Sequence, residues 1–192
     1  PYGYTSNDDI LWSKVVWEVI DLNQKINHPF YYPTDSDSAG TDRLSLFNTL
    51  QDNVELGYLK AWRDDYFTDE LSKEQVKKSL YDVCIGGSIE TVESSEILQF
   101  KIKGMWYFDK RQGELKYRLL AIAPLIGFDA KAKCGNAQLE NEFDESAEEG
   151  QIFPEIFPEV NRVLYWIFYP EARQFLHDSK VFNPDNSVSP VS

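Results

Sequence analysis

The sequence of 192 residues lacks every compact catalytic motif that can be recognised from residue spacing. It contains no HExxH, CxxC or GxSxG pattern, no P-loop and no glycine-rich dinucleotide motif. The only two histidines are His28, which precedes a proline, and His177, which suits a dipole-compensating position near a helix end. With no evident nucleophile, metal pair or phosphate loop, we expect no enzymatic activity and no cofactor or metal.

Basic charge and long apolar runs are also scarce. The chain has 32 acidic and 19 basic residues, so its formal net charge is −13. A general nucleic-acid binder or a protein that docks on anionic lipid needs a basic surface, so both functions are disfavoured. No stretch approaches the ~18 to 20 apolar residues that span a bilayer, so we expect no membrane-spanning helix. The front of the sequence has neither Met nor a signal-like apolar core, as expected of a processed mature chain or a trimmed piece.

Cysteine occurs twice, at Cys84 and Cys134. In an exported protein these residues could form a disulfide that closes a loop of about fifty residues and contributes a few kcal/mol at most. Because connectivity cannot be derived from spacing, two unpaired thiols are the preferred interpretation.

Aromatic and β-branched residues, by contrast, are abundant, and they concentrate in residues 160–169. Both alternating faces of this segment are apolar, which predicts a central strand covered on both sides. Pro170 suits the first turn of a helix, so the strand should end there and residues 171–177 should be helical.

The clearest β pattern predicts a hairpin over about residues 97–124. Apolar and polar residues alternate from 98 to 103, as in a half-buried strand. Residues 109–113 should form the loop, with Gly113 free to adopt a positive φ. Together with the strand at 160–169, the hairpin predicts a small antiparallel sheet.

A first helix is predicted over residues 7–27, where apolar residues recur at helical spacing. Ser6 or Asn7 would cap this helix. Trp12 and Trp17 flank its apolar stripe. Since both cannot lie at the centre of the stripe, one of them should face another element or a partner.

Two further helices are predicted in the first half of the chain. One covers about residues 43–56, with Asp42 as its cap and Gly57 as its end. The other covers about residues 73–82 and follows a Ser-x-x-Gln capping box. A short strand-like piece at 58–63 lies between them. The predicted fold class is therefore α+β, with the antiparallel sheet packed against three to four helices.

Several segments should be irregular. Residues 27–33 (NHPFYYP) should be extended because their prolines forbid a helix, and residues 84–95 should form a loop. Six acids lie among the ten residues 140–149, which predicts a mobile acidic loop over about 129–151. We expect residues 1–182 to form a single globular domain, followed by a tail or linker at 183–192.

A tandem IFPE repeat occupies residues 152–159. Its regularly spaced prolines force an extended path, while its Ile and Phe side chains favour burial. The repeat should therefore be a strap. Its apolar side chains would lie over the protein's own core, the preferred interpretation, or on a neighbouring subunit.

Four segments, in this order, resemble the GldN family of gliding-motility-associated proteins, whose secretion counterpart is called PorN. They span most of the chain and cover residues 8–33, 43–50, 106–124 and 164–184. The most telling pieces are the Asp-Lys-Arg-x-Gly-Glu hairpin that begins at Asp109 and the Tyr-Pro-x-Ala-Arg helix start at Tyr169. Residues 85–96 and 131–150 carry no such likeness.

The resemblance implies a structural, non-enzymatic, periplasmic component of the type IX secretion and gliding machinery. Family members form a ring of their own copies with a GldK/PorK-like outer-membrane lipoprotein. They also connect to the inner-membrane GldL–GldM motor through the periplasmic domain of GldM/PorM. The resemblance carries over no catalytic residue, and it implies a periplasmic location at the outer membrane through the lipoprotein.

Partner-binding residues are predicted on physical grounds, because exposed large aromatics and arginines form the usual hot spots. The candidates are Trp12, Trp17, Tyr31, Tyr32, Arg111, Phe153 and Phe157. Core packing or a solvated turn is the alternative for each of them.

A cell-envelope glycan-binding module or hydrolase is the alternative function. Trp62, Trp106 and Tyr107 could stack on sugars, and a hydrolase would need two carboxylates in a cleft. A cleft of convergent acids with raised pKa values would favour this alternative, whereas broad apolar patches would favour the scaffold.

Overall fold

The computed structural model describes residues 5–34, 43–83, 89–126 and 162–180. Within these ranges the chain forms eight strands, four α-helices and three short 3-10 turns. The strands are β1 Ile10–Asp21, β2 Ala61–Trp62, β3 Tyr81–Val83, β4 Ile89–Thr91, β5 Gln99–Asp109, β6 Glu114–Ile126, β7 Arg162–Val163 and β8 Trp166–Phe168. The helices are α1 His28–Tyr31, α2 Leu46–Leu56, α3 Lys73–Ser79 and α4 Tyr169–Asp178, and the 3-10 turns are Asn7–Asp9, Lys25–Asn27 and Ser94–Glu96.

A six-stranded antiparallel sheet organises the described residues. Its strand order is β1-β5-β6-β8-β2, with β7 also paired to β6, while β3 and β4 form a separate hairpin. The predicted α+β class is confirmed. The predicted hairpin is β5–β6, and Gly113 in its loop has the expected positive φ of 68°.

The segment predicted as the first helix is instead strand β1. It pairs with β5 along almost its whole length, from Trp12 opposite Phe108 to Asp21 opposite Gln99. Apolar residues occur on both alternating faces of the segment, and its many β-branched and aromatic residues favour a strand. Ser6 is a cap, as predicted, but only for the 3-10 turn Asn7–Asp9.

Two other predictions are corrected by local geometry. Residues 27–33 are not extended throughout, because Pro29 occupies the first turn of the short helix α1, where no N–H donor is needed. Residues predicted as a loop from 84 to 95 include strand β4 and a 3-10 turn at Ser94–Glu96. Strand β4 is held in place by its backbone pairing with β3. A strand of three residues is too short to show an alternating pattern in the sequence.

The remaining helices begin or end at several of the predicted signals, but α3 is shorter than the predicted 73–82. It ends at Ser79, because Tyr81–Val83 pairs with β4 as strand β3. Helix α2 ends at Gly57 with φ 86°, although Ser45 rather than Asp42 caps its start. The capping box before α3 is present in full, with Ser72 and Gln75 in their reciprocal roles. Helix α4 has Pro170 in its first turn, as predicted.

The segment predicted as a central strand is divided into two short strands, β7 and β8. Strand β8 lies between β6 and β2, and apolar residues cover both of its faces. Ile167 packs into the main core with Phe100 and Leu50, while Trp166 packs with alanines of β6 on the opposite face. Between the two strands, the buried Tyr165 donates a hydrogen bond from Oη to Gln51 Oε1 at 2.7 Å.

Several predicted features lie outside the described residues. They are the acidic loop at 129–151, the IFPE strap with Phe153 and Phe157, the cysteines Cys84 and Cys134, and the tail at 183–192.

Candidate partner interface

Strand β1 forms one edge of the sheet and presents an unusually apolar surface. Among the described strands only β5 pairs with it. Five large apolar side chains along the strand are exposed, namely Leu11, Trp12, Val15, Trp17 and Val19. Proteins normally protect a long edge strand with charges, prolines or a covering element, so an apolar edge indicates a contact surface.

The core face of the sheet continues past the helices onto an exposed extension. We call this extension the outer ribbon and define it as residues 10–16 of β1, 104–109 of β5 and 114–119 of β6. Along β5, Phe100 and Ile102 are buried, whereas Trp106, which alternation places on the same face, is exposed. The same strand therefore passes from core to surface without changing its apolar character.

Cross-strand register assembles large side chains into rows on this face. Trp12, Phe108 and Leu115 lie opposite one another, and Trp106 lies beside Tyr117 in the next row. The aromatic rings of Trp106 and Tyr117 are 4.9 Å apart at 53°. We call the surface formed by Trp12, Trp106, Phe108 and Leu115 the aromatic face. Trp12 is 50% exposed and Leu115 is 57% exposed, which is the kind of patch that a protein partner covers.

The opposite face of the sheet contains a buried lysine, Lys103 of β5, next to the outer ribbon. Lys103 Nζ donates to the carbonyl oxygen of Asp65 at 2.7 Å and lies 3.4 Å from Asp65 Oδ2, with the Lys103 side chain 8% exposed. The same carboxylate oxygen accepts the indole N–H of Trp17 at 2.6 Å. The ammonium group also lies 4.0 Å from the centre of the Tyr66 ring. Trp17 is thus hydrogen-bonded to a loop of its own chain, while 45% of its surface remains exposed.

Asp109 fixes the hairpin tip on which Arg111 is carried. Its Oδ1 accepts from the backbone N–H groups of Arg111 at 3.0 Å and Gln112 at 3.2 Å, and Lys116 Nζ lies 3.2 Å from Oδ2. Desolvation opposes ionisation, but the hydrogen bonds from Lys116, Gln112 and Arg111 outweigh it and lower the pKa of Asp109. The Arg111 side chain is 75% exposed and approaches Asp9 Oδ2 at 3.4 Å. The turn is rigid, and its arginine is available to a partner.

Replacing Asp109 by Asn tests this arrangement. Because the folded-state pKa of Asp109 lies below its ordinary 3.8, the carboxylate stabilises the fold above that value and loses its effect as the pH falls through the folded pKa. We expect Asp109→Asn to lower the melting temperature at about pH 7 and to differ less from the unsubstituted chain at about pH 3. Thermal unfolding followed by circular dichroism measures both. An equal loss at the two pH values would contradict the charge-based explanation.

The five described candidates do not form one patch. Trp12 and Arg111 lie at the hairpin end of β1, since Lys110 donates its backbone N–H to Asp9 just before the strand. Tyr31 and Tyr32 belong to the segment of α1, which follows the other end of β1. Trp12 and Trp17 lie on opposite faces of the strand, because their positions differ by an odd number.

Tyr31 is mainly a packing residue. Its Oη donates to the carbonyl oxygen of Ser95 at 2.9 Å, and its ring meets that of Tyr32 at 4.8 Å in an edge-to-face arrangement. Burial, with a smaller contribution from Tyr32, raises the pKa of Tyr31. Tyr32 is more exposed and remains the better surface candidate of the two.

Neither Trp106 nor Leu115 was predicted from the sequence as a candidate interface residue. Trp106 was recognised only as a sugar-stacking candidate. The sequence did contain a signal for Trp106. This residue lies an even number of positions from Phe100 and Ile102 in a correctly predicted strand, so it could have been placed on the same face. The sequence did not reveal that the helices stop short of this row.

The described residues include one hollow that can be compared with what a glycoside hydrolase requires. A hollow of about 770 Å³ beside α4 is lined by residues 169–177 and contains Glu171 as its one carboxylate. Glycoside hydrolysis normally uses two. Across the described ranges, no group of three or more His, Cys, Asp or Glu side chains could hold a metal ion.

A protein-family model matches almost the whole chain. The family model described as "Gliding motility associated protein GldN" matches residues 5–192. The chain belongs to the GldN family. The resemblance seen in four segments is therefore confirmed, and this GldN-family protein is associated with gliding motility. No match was found among curated proteins. None of the helices in the described ranges is long and apolar enough to cross a membrane.

Proposed function

We propose that this GldN-family chain is a structural, non-enzymatic periplasmic component of the type IX secretion and gliding machinery. It would build a ring from its own copies together with a GldK/PorK-like lipoprotein, which would hold it at the outer membrane. A GldM/PorM-like periplasmic domain would connect this ring to the motor. The observation that carries the proposal is the exposed aromatic face on a chain of this family.

The aromatic face has the physical properties of a protein interface. Trp12 and Trp106 supply large rigid side chains with few rotatable bonds, and such residues provide most hot spots. Their neighbour Arg111 would lie at the polar rim, where a charge affects partner choice more than affinity. The face lies on paired strands, so little conformational entropy is lost on binding. We assign this face to the lipoprotein.

The chain's chemistry supports the scaffold over the glycan-binding or hydrolytic alternative. The raised carboxyl pKa among the described residues belongs to Asp52, which lies on the exposed side of α2 rather than in a cleft. Burial and the neighbouring Glu55 cause that shift. A hydrolase would have convergent acids with raised pKa values inside a cleft, and Asp52 does not lie in such a cleft.

Replacing residues of the aromatic face should weaken lipoprotein binding. We expect Trp12→Ala and Leu115→Ala each to raise the dissociation constant about tenfold, as hot-spot truncation commonly does. Val19→Ala is the matched control, because Val19 is exposed on the same strand but points to the opposite face. Binding is measured by interferometry with the purified GldK-like lipoprotein, and the mass of the co-purified complex is determined. A chain that ignores the lipoprotein, or a control as damaging as Trp12→Ala, would overturn the assignment.

A further inference from the structure

The outer edge of β1 is a second feature, and it borders the aromatic face, since Lys14 lies opposite Trp106 in the β1–β5 pair. In an antiparallel pair, alternate residues of an edge strand direct their N–H and C=O groups away from the partner strand. The other edge of the sheet is protected, since Trp62 of β2 bridges to Glu70 and Leu71 donates to the Ala61 carbonyl at 2.8 Å. In the described part of the chain, β1 has no such cover, and its 12 residues contain neither proline nor glycine.

Two opposite charges lie near the middle of this edge. Lys14 and Glu18 are separated by four positions, so they share a face of the strand and stand about 13 Å apart, too far to pair with each other. Neither side chain takes part in an ion pair with the other residues that the structure describes. Except for Asp21 at its last position, the rest of β1 is uncharged. The strand thus presents one cation and one anion along an edge whose other residues, apart from Ser13 and Asp21, are apolar.

We propose that β1 pairs antiparallel with β1 of a second copy of this chain, about a two-fold axis at Val16. In this register Lys14 of each copy lies opposite Glu18 of the other, which gives two reciprocal ion pairs. Trp17 lies opposite Val15 of the second copy, an aromatic–β-branched pair of the kind that stabilises sheets. The two sheets would join into one across the interface.

Charge complementarity selects this register. In an antiparallel pair, two directly opposite residues either both point their N–H and C=O groups at each other or both point them away. A two-fold axis between two identical strands must therefore pass between two copies of the same residue. Centring on Lys14 or Glu18 would place like charges together. Centring on Val15 or Trp17 would leave both charges opposite apolar side chains. Among the centres from 14 to 18, Val16 alone brings each lysine to a glutamate.

This contact goes beyond the proposed ring. A two-fold contact uses the same strand on both copies and closes on itself, whereas a ring requires a head-to-tail contact between different surfaces. Two chains with a net charge of −13 also repel one another over a distance. At physiological ionic strength the screening length is about 8 Å, so salt weakens this long-range repulsion more than it weakens the ion pairs in direct contact. The contact should therefore be measured under that condition.

Charge reversal provides the test. We expect the full chain to form a dimer in sedimentation velocity, and Lys14→Glu or Glu18→Lys alone to weaken this dimer by about tenfold or more, since each converts two attractive pairs into two repulsive ones. A mixture of the two variants should recover association, because the first variant is acidic at both positions and the second is basic at both. Native mass spectrometry, with the two variants carrying tags of different mass, identifies this heterodimer. Hydrogen exchange in β1 should slow as the protein concentration rises.

Matched charge reversals at Lys78 of α3 and Glu171 of α4 control for the change in net charge and should leave the dimer intact. A monomeric unsubstituted chain would overturn the proposal, and so would a mixture that associates no better than either variant alone. The measurement uses this chain without the lipoprotein. A dimer that ignores the lipoprotein would refute only the proposed ring function, while a monomer that binds the lipoprotein through the aromatic face would refute only the β1 contact.

Discussion

Asp65→Ala should lower the free energy of unfolding by about 3 kcal/mol, because it leaves a buried ammonium group without its counterion. The side chains of Lys103 and Asp65 are 8% and 18% exposed, so water can replace little of the lost interaction. The substitution also removes the acceptor of the Trp17 indole N–H. Lys103 would keep its hydrogen bond to the backbone carbonyl oxygen of residue 65 and its contact with Tyr66, which limits the loss.

Lys103→Met is the matched comparison. It replaces the lysine with an apolar side chain of similar length and leaves the Asp65 carboxylate as the unpaired charge. That carboxylate keeps the indole N–H of Trp17 and is more exposed than Lys103, at 18% against 8%, so we expect a smaller loss of about 1 kcal/mol. Urea unfolding of both variants measures the difference. If Lys103→Met destabilised the chain as much as Asp65→Ala, the Asp65 carboxylate would depend on the ammonium group as strongly as the ammonium group depends on the carboxylate, and the expected difference would be wrong.

The elements predicted correctly are those whose signals are local. The capping box at Ser72 and Gln75, the glycine end of α2 and the proline start of α4 each depend on a few neighbouring residues. The β5–β6 hairpin combines strict alternation with a glycine in its turn, and so it was recognised within one segment.

Strand β1 was mispredicted because its apolar residues recur at helical spacing and do not alternate between the two faces of a strand. The deciding factor lies about 90 residues away along the chain, where β5 offers a partner for the whole strand. Tertiary pairing of this kind overrides helical spacing, and the one local indication of a strand is the β-branched and aromatic content of the segment. The edge position of β1, and with it the complementary placement of Lys14 and Glu18, could not be foreseen once the segment was taken as a helix.

The candidate interface was predicted in part. Trp12 and Arg111 were chosen for their residue type, and the structure places both at the surface near the hairpin end. Trp17 and Tyr31 were chosen on the same ground, yet each bonds to its own chain, to Asp65 and Ser95 respectively. Residue type identifies potential hot spots, but only the fold shows which of these side chains already form hydrogen bonds within their own chain.

The aromatic face depends on a glycine in the middle of β5. A Cβ atom at Gly104 would collide with the ring and hydroxyl of Tyr117, which lies across the strand and against Trp106. Gly104→Ala must therefore displace Tyr117, and we expect a loss of about 2–3 kcal/mol of unfolding free energy together with weaker lipoprotein binding as Trp106 shifts. Urea unfolding and interferometry measure these effects.

Two further variants separate steric overlap from backbone conformation. At Gly113 an added Cβ meets nothing within 4 Å but φ is +68°, so Gly113→Ala should cost about 1 kcal/mol through the backbone alone. Gly104→Ala combined with Tyr117→Val should be no less stable than Tyr117→Val, because the overlap is gone and alanine suits a strand better than glycine. If the alanine cost persisted without the tyrosine, the close approach of Tyr117 would not be the reason that glycine stands at position 104.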